Sequence, residues 1–367
     1  IQQNLAEVYI SRTLGEQAEN VEQAITACHA TLTVYTENRY PEQWARSQAT
    51  LGSAYNSRIR GDRAENREKA IAACQDAWKI YTKENFPSQW ASVQITFGNA
   101  HLDRVLGGKA ENLETAIAAY KSALTVFTYE AFPYEWAGCK NNLGEVYKQR
   151  LKGNKIKNLK KALVACEASI TVITPEIDPE AWGRTKLNLG DIYNYISIHE
   201  NSDEYLEQSI SAYEAGLTVF TEELFPERWA TAQSCLGGVY SRPQGQGDKI
   251  KNLERGIQCD LNALKIFTHQ SFPQRHAKTL LSLAIGYYNT QRWSEAYDAL
   301  AQSIETVDYL RGEIHSRDEV KRKFNQEWND HYLMMVQVCI KLQRYHKALE
   351  YADRSKARNL IESITSR

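Results

Sequence analysis

Apolar and polar positions recur along this chain with the period of a helix. Trp90, Gln94, Phe97 and His101 fall at i, i+4, i+7 and i+11, and Trp136, Lys140, Leu143 and Tyr147 repeat that spacing. Each set therefore shares one helix face. This first helix, helix A, is predicted from about Pro133 to Leu151, opened by a proline that loses no useful hydrogen bond in a first turn. A second, helix B, is predicted to carry Ala116, Ile117, Tyr120, Ala123, Leu124 and Phe127 on one face.

The helical faces themselves repeat. Trp44, Trp90, Trp136, Trp182 and Trp229 follow one another at 46, 46, 46 and 47 residues. Pro41, Pro87, Pro133, Pro179, Pro226 and Pro273 keep that step, as do Gly52, Gly98, Gly144, Gly190 and Gly237. A fixed period means stacked helix pairs, none able to bury its apolar face alone. Gly52 or Gly144 is expected to let helix B come close, against Ala70 or Ala116. An aromatic precedes most of the prolines (Tyr40, Phe86, Phe132, Phe225, Phe272) and is expected to pack back as a staple. Asn66, Asn112, Asn158 and Asn252 are expected to cap helix B, with Glu68 or Glu114 in its first turn. A threonine closes helix B in six copies (Thr36, Thr82, Thr128, Thr174, Thr221, Thr268), its hydroxyl expected on a carbonyl one turn back.

Leu-Gly-x-x-Tyr (Leu51, Gly52, Tyr55; Leu143, Gly144, Tyr147) followed by Ala-x-x-x-aromatic (Ala116, Tyr120) resembles the tetratricopeptide repeat. The resemblance covers nearly the whole chain and implies an all-α solenoid of about eight antiparallel helix pairs. Copies seven and eight have 12 residues from Ala284 to Ala296 and from Val336 to Ala348, close to the ordinary unit, whereas Gly52 to Ala70 spans 18. The extra residues are assigned to the A–B loop and the helix ends. The fifth copy, with Tyr205 at the cap position, and the sixth, with the connector Arg242 to Gly247, are the places where a bend is expected. The repeat array is expected over 1–310 and a C-terminal helical segment over 311–367. Its stretch from Ala348 to Glu362 resembles the segment that joins helical repeats to a caspase-like CHAT protease domain in bacterial, many of them cyanobacterial, proteins. That resemblance implies a regulatory or recruiting module for a downstream domain. Projecting the tryptophan period back falls before Ile1, so the chain is expected to be part of a longer protein.

Composition narrows the chemistry. Net charge is -1, from 44 basic and 45 acidic residues, which disfavours a dedicated nucleic-acid surface or membrane face. No apolar run is long enough to span a bilayer. Seven cysteines without a CxxC pair are expected as reduced thiols in a cytoplasmic protein, with Cys28, Cys74 and Cys166 as buried packing residues. The eight histidines show no pairing with a nucleophile and no metal-ligand spacing. Gly245 to Lys249 lacks the ending of a phosphate loop. No catalytic residue, metal site or cofactor is therefore expected.

What remains is a binding groove lined by the A helices, of the kind repeat arrays offer to extended partners. The position two before each glycine reads Asn4, Thr50, Thr96, Asn142, Asn188 and Cys235. The position after the glycine includes Asn99 and Glu145, and a turn on lie Asn56, Lys148 and Asn194. Arg46 and Arg184 add charge a turn earlier. An amide both donates and accepts, so it can bracket a peptide unit; the resemblance implies that use, and a bridge between neighbouring A helices is the alternative. A protein or peptide partner is the main expectation. A passive assembly scaffold, and a nucleic-acid sensor using Lys152, Lys155, Lys157, Lys160 and Lys161, stand as alternatives.

Overall fold

The structure, a computed structural model, describes residues 17–242, 249–312 and 318–365. Among them there are fifteen helices and no strand. The chain divides into two compact units, Ile1–Asn188 and Leu189–Arg367. The first unit contains α1 (Gln17–Leu32), α2 (Pro41–Ser57), α3 (Arg63–Ala77), α4 (Pro87–Leu102), α5 (Lys109–Ala123), α6 (Pro133–Gln149), α7 (Lys155–Ile170) and the start of α8 (Pro179–Glu200). The second contains the rest of α8, then α9 (Asp203–Leu217), α10 (Pro226–Tyr240), α11 (Lys249–Leu264), α12 (Pro273–Asn289), α13 (Trp293–Gly312), α14 (Asp318–Lys341) and α15 (Tyr345–Thr365). Even-numbered helices to α12 are the predicted A helices. Within the units, α2, α4, α6, α10 and α12 each pack on the B helix that follows and on the one before, and neighbouring A helices also touch, α2 with α4 and α4 with α6. These are the stacked helix pairs that the period requires.

One junction serves five of the six proline-opened helices, the exception being α8, where Asp178 precedes the proline and accepts from the Ala181 N–H. Helix A opens with its proline in the first turn, and the aromatic before it is the N-cap residue with no side-chain cap bond. That aromatic packs on the one five residues earlier: Tyr40 on Tyr35, Phe86 on Tyr81, Phe132 on Phe127, Phe225 on Phe220 and Phe272 on Phe267, with centroids 5.2–5.5 Å apart. Such pairs add about 0.5–1.5 kcal/mol to the burial of the rings. The staple therefore ties helix A to the end of the preceding helix B, not to its own second turn. The recurring threonine also differs from expectation. Thr82, Thr128, Thr221 and Thr268 accept, at 3.2–3.3 Å, the backbone N–H three residues ahead. Their hydroxyls start the next turn instead of closing the last one.

Helix B is capped earlier than expected. Asp62 and Asn154 accept from the N–H groups of Glu65 and Lys157, Ser202 accepts from Tyr205, and Gly108 stands at the same place without a side chain. Asn66, Asn112 and Asn158 lie a turn inside and are buried. Their Nδ2 groups donate at 2.9 Å to the carbonyls of Arg60, Leu106 and Lys152. They clamp the A–B loop, whose Gly61, Gly107 and Gly153 take φ of +78°, +80° and +85°, a conformation that favours glycine. Glu68 and Glu114 are likewise past the first turn and serve a different purpose, an ion pair to the next copy.

The A–B contact is close where glycine was expected. A Cβ on Gly98 would lie 2.7 Å from the Tyr120 ring, and one on Gly144 would lie 2.2 Å from Cys166 Sγ. The alanine contributes its carbonyl, Ala162 O at 3.4 Å, while the residue four positions on fills the space. That position reads Cys74, Tyr120, Cys166, Tyr213 and Asp260. Burial pushes the thiols of Cys74 and Cys166 up to about 12, so they are packing groups rather than nucleophiles. In the second unit the main core joins α12 and α13 to α14 and α15 through Leu283, Leu300, Tyr332, Met335 and Tyr351.

Candidate functional site

The A helices of the first unit line two adjoining hollows. The larger, about 730 Å³, is bounded by Asn56, Arg67, Asn99, Asp103, Asn142, Glu145, Arg184 and Asn188, with Tyr134, Ile95, Leu102 and Ile177 as apolar surface. The smaller, about 590 Å³, is bounded by Arg46, Thr50, Ser53, Gln89 and Thr96. The sequence-derived positions are thus brought together: six of them (Asn56, Asn99, Asn142, Glu145, Arg184, Asn188) line the larger hollow, and Arg46 and Thr50 the smaller. Asn194 belongs to the second unit, and Asn4 lies outside the described residues.

The amides bridge neighbouring A helices. Asn56 Nδ2 donates to the Thr96 carbonyl at 2.7 Å, Asn142 Nδ2 to Asn99 Oδ1 at 3.1 Å, and Lys148 Nζ to Asn188 Oδ1 at 2.9 Å. Asn194 accepts from Arg242 in the next copy. Thr50 bonds back to the Arg46 carbonyl at 2.9 Å. Tyr120, reaching up beside Gly98, donates its hydroxyl to Asn99 Oδ1 at 2.6 Å. These bonds tie the A helices together along the wall of the hollow.

Arg67 is the site residue that periodicity missed. The equivalent positions in other copies are Val21, Leu113, Leu159, Leu206 and Leu253, so an arginine in an apolar column was the available signal. The residue is 8% exposed. Its Nη1 donates to the carbonyls of Tyr55 at 3.3 Å and Asn56 at 2.6 Å, and its Nη2 to Asp103 at 3.0 Å. Two buried atoms on this wall have no partner in the protein: Arg67 Nε, a donor, and Asn56 Oδ1, an acceptor. Leaving such groups unpaired costs about 1–3 kcal/mol each.

The lysine run breaks up in three dimensions. Lys152 pairs with Glu111 at 3.6 Å and Lys155 donates to the Lys148 carbonyl at 2.6 Å. Among the described residues no group of three or more His, Cys, Asp or Glu could hold a metal ion, and no helix is long and apolar enough to cross a membrane.

The sequence matches no protein-family model and no curated protein. The fold is similar to that of RapI in its apo form, with a TM-score of 0.58 and 15% identity over 97% of this chain and 98% of that one. It is similar also to a Rap protein complexed with competence and sporulation factor, with a TM-score of 0.53 and 14% identity over 99% and 97%. A STAND protein with a tetratricopeptide repeat sensor from Pyrococcus horikoshii aligns over 96% of this chain and 54% of that one, at 16% identity and a TM-score of 0.44. The likeness to the two Rap structures is one of fold: an all-α array of tetratricopeptide-like helix pairs.

Proposed function

We propose that the first unit binds an extended peptide, or a peptide-like segment of a protein partner, across its A helices, and that the chain is a non-catalytic recognition module. The observation that carries this reading is the unpaired donor and acceptor, Arg67 Nε and Asn56 Oδ1, on the wall of one hollow. A peptide group presents one C=O and one N–H, the complement of that pair. Asn99, Asn142 and Asn188 extend the polar wall, and Tyr134, Ile95 and Ile177 offer apolar surface for side chains. A neighbour in fold, the Rap protein, is complexed with a competence and sporulation factor, which supports a bound partner here.

The test uses peptides selected from a displayed random library on the wild-type protein. Arg67→Leu restores the residue type of copies three and four, so it is expected to fold, and it removes the orphan donor. With Asn56→Ala it should weaken the selected peptides about tenfold or more, the lost bond from the charged Arg67 being worth about 1.5–3 kcal/mol and that to the neutral Asn56 amide about 0.5–1.5 kcal/mol. No enrichment on wild type, or equal binding to the double variant, would overturn the reading.

The finer reading, a regulator of or recruiter to a caspase-like CHAT protease domain in the cytoplasm of a bacterium, rests on the Ala348–Glu362 resemblance and on the long tryptophan-bearing repeat units that resemble the same group. It requires that groove variants change proteolysis by the full polypeptide. A passive scaffold would assemble its complex but show no such change.

A further inference from the structure

Copy four departs from its neighbours on the opposite, helix-B side of the first unit. A hollow of about 610 Å³ lies between α5 and α7 with α6 as its floor, lined by Lys121, Lys140, Lys160, Lys161, Leu124, Leu143, Tyr147, Val164 and Ala165. Four lysines from three helices surround it, and no carboxylate is among its lining residues. The sequence makes the contrast with earlier copies explicit. Lys160 stands where copies two and three have Glu68 and Glu114, Lys121 of copy three where copy two has Gln75, and Lys140 where copies two and three have Gln48 and Gln94. Val164 stands where those copies have Ala72 and Ala118, and it is 66% exposed. The seam between copies three and four therefore carries both positive charge and exposed apolar surface at a single place.

We infer that this hollow docks an acidic peptide segment carrying an apolar anchor residue. The charge is complementary to Asp and Glu side chains. The floor of Leu143, Leu124 and Val164 takes an aliphatic side chain, whose burial is worth about 1.5–3 kcal/mol. That burial also excludes water and so strengthens the surrounding ion pairs. A flat bilayer cannot follow a concave floor. Nucleic-acid bases need open aromatic faces to stack on, whereas the Tyr147 ring lies under Lys161 Nζ at 5.7 Å and the Trp136 ring under Lys140 Nζ at 5.2 Å. The inference does not rest on the A-helix groove, since it shares no residue with that site.

The probe is a short fluorescent peptide of alternating Glu and Leu, read by anisotropy on the whole chain, beside polyglutamate, phosphatidylserine vesicles and single-stranded RNA. The Glu/Leu peptide should bind more tightly than polyglutamate and weaken as salt is raised. Lys121→Glu with Lys161→Glu should weaken it about tenfold or more, about 1.4 kcal/mol, while Lys347→Glu in the second unit should not. Val164→Asn alters an exposed side chain, leaves the fold and every charge in place, and should erase the preference over polyglutamate. Unchanged binding by the charge-reversed variant, no effect of Val164→Asn, or tighter lysine-dependent binding of vesicles or RNA than of the peptide would each overturn the assignment. Retention of the helical circular dichroism signal separates lost docking from lost folding.

Discussion

Glu68 and Arg104, 36 residues apart, meet in a two-pronged ion pair: Arg104 Nε donates to Oε1 at 2.7 Å and Nη2 to Oε2 at 2.8 Å. Glu22 with Arg58 and Glu114 with Arg150 repeat it at the same separation. Each joins helix B of one copy to the A–B loop of the next. Arg58 and Arg150 also donate to Asn66 and Asn158, at 3.3 and 3.2 Å, so the ion pair and the loop clamp form one network. The run ends at Lys160, where a glutamate would continue it.

These side chains are about a quarter exposed, 22% for Arg150 and 30% for Glu114, which limits each pair to about 1 kcal/mol. Arg150→Lys keeps the charge but loses the fork and the bond to Asn158. It should lower the urea midpoint nearly as much as Arg150→Ala does. A lysine variant as stable as wild type would show that charge alone matters there.

Two glycines of α6 should respond in opposite senses to alanine. Gly144→Ala puts a methyl 2.2 Å from Cys166 Sγ and should cost about 1–3 kcal/mol by overpacking. Gly138→Ala meets nothing within 4 Å and should gain about 0.5–1 kcal/mol from helix propensity. Denaturation midpoints decide it, and equal shifts in one direction would refute the packing account.

Asp260 occupies the position of Tyr120 and Tyr213 beneath a glycine. It is fully buried, neither carboxylate oxygen has a hydrogen-bond partner of good geometry, and Ser282 is its polar neighbour. Desolvation raises its pKa well above the usual range, with Ser282 opposing weakly. Between the unfolded carboxylate value, about 4, and the raised folded one, the folded state holds a proton that the unfolded state has released. Stability therefore falls as pH rises through that window. Asp260→Asn should flatten this slope and leave the protein at least as stable at neutral pH. Glu22, Glu68 and Glu114 work the other way. Hydrogen bonds from their arginines lower their pKa values, so their contribution is present above the unfolded value and is lost as pH falls through the folded one. Equilibrium unfolding across pH, in wild type and Asp260→Asn, separates the two.

The short turns of copies seven and eight end in a left-handed residue that is not glycine, Gln291 at φ 62° and Gln343 at φ 59°. Around them Arg292 N–H bonds Tyr287 O and Arg344 N–H bonds Cys339 O, both at 2.8 Å, the closing bond of a Schellman turn. Gln291→Gly and Gln343→Gly should each raise stability by up to about 1 kcal/mol. Losses in thermal denaturation would mean that the glutamine side chains contribute more than the backbone strain costs.

Much of this was legible in the sequence because it is local or periodic. The tryptophans and prolines located every A helix to α12, and the glycines located the close A–B contact. The cap asparagines and the closing threonines were misread because their roles depend on where the chain turns next. Asn66 reaches back to Arg60, and Thr82 reaches forward to Asn85, and neither partner is set by helix spacing. The Glu–Arg pairs were hidden for a related reason. A 36-residue separation becomes meaningful only once the copies are stacked. Eight of the eleven groove positions line the two hollows, yet Arg67 escaped because it is an exception inside a column of leucines.

The recurring junction at Phe86–Pro87 and Phe132–Pro133 has a consequence for rearrangement of the gene. Excising 87–132 would bring Phe86 directly before Pro133, a join with the same chemistry as the two it replaces. Glu68 would then stand 36 residues from Arg150, the separation that each of the three forks already spans. Whole copies can thus be lost or duplicated in a single event with the aromatic-proline seam and the Glu–Arg fork both re-formed, so length can change in evolution or by design without breaking the joints that repeat.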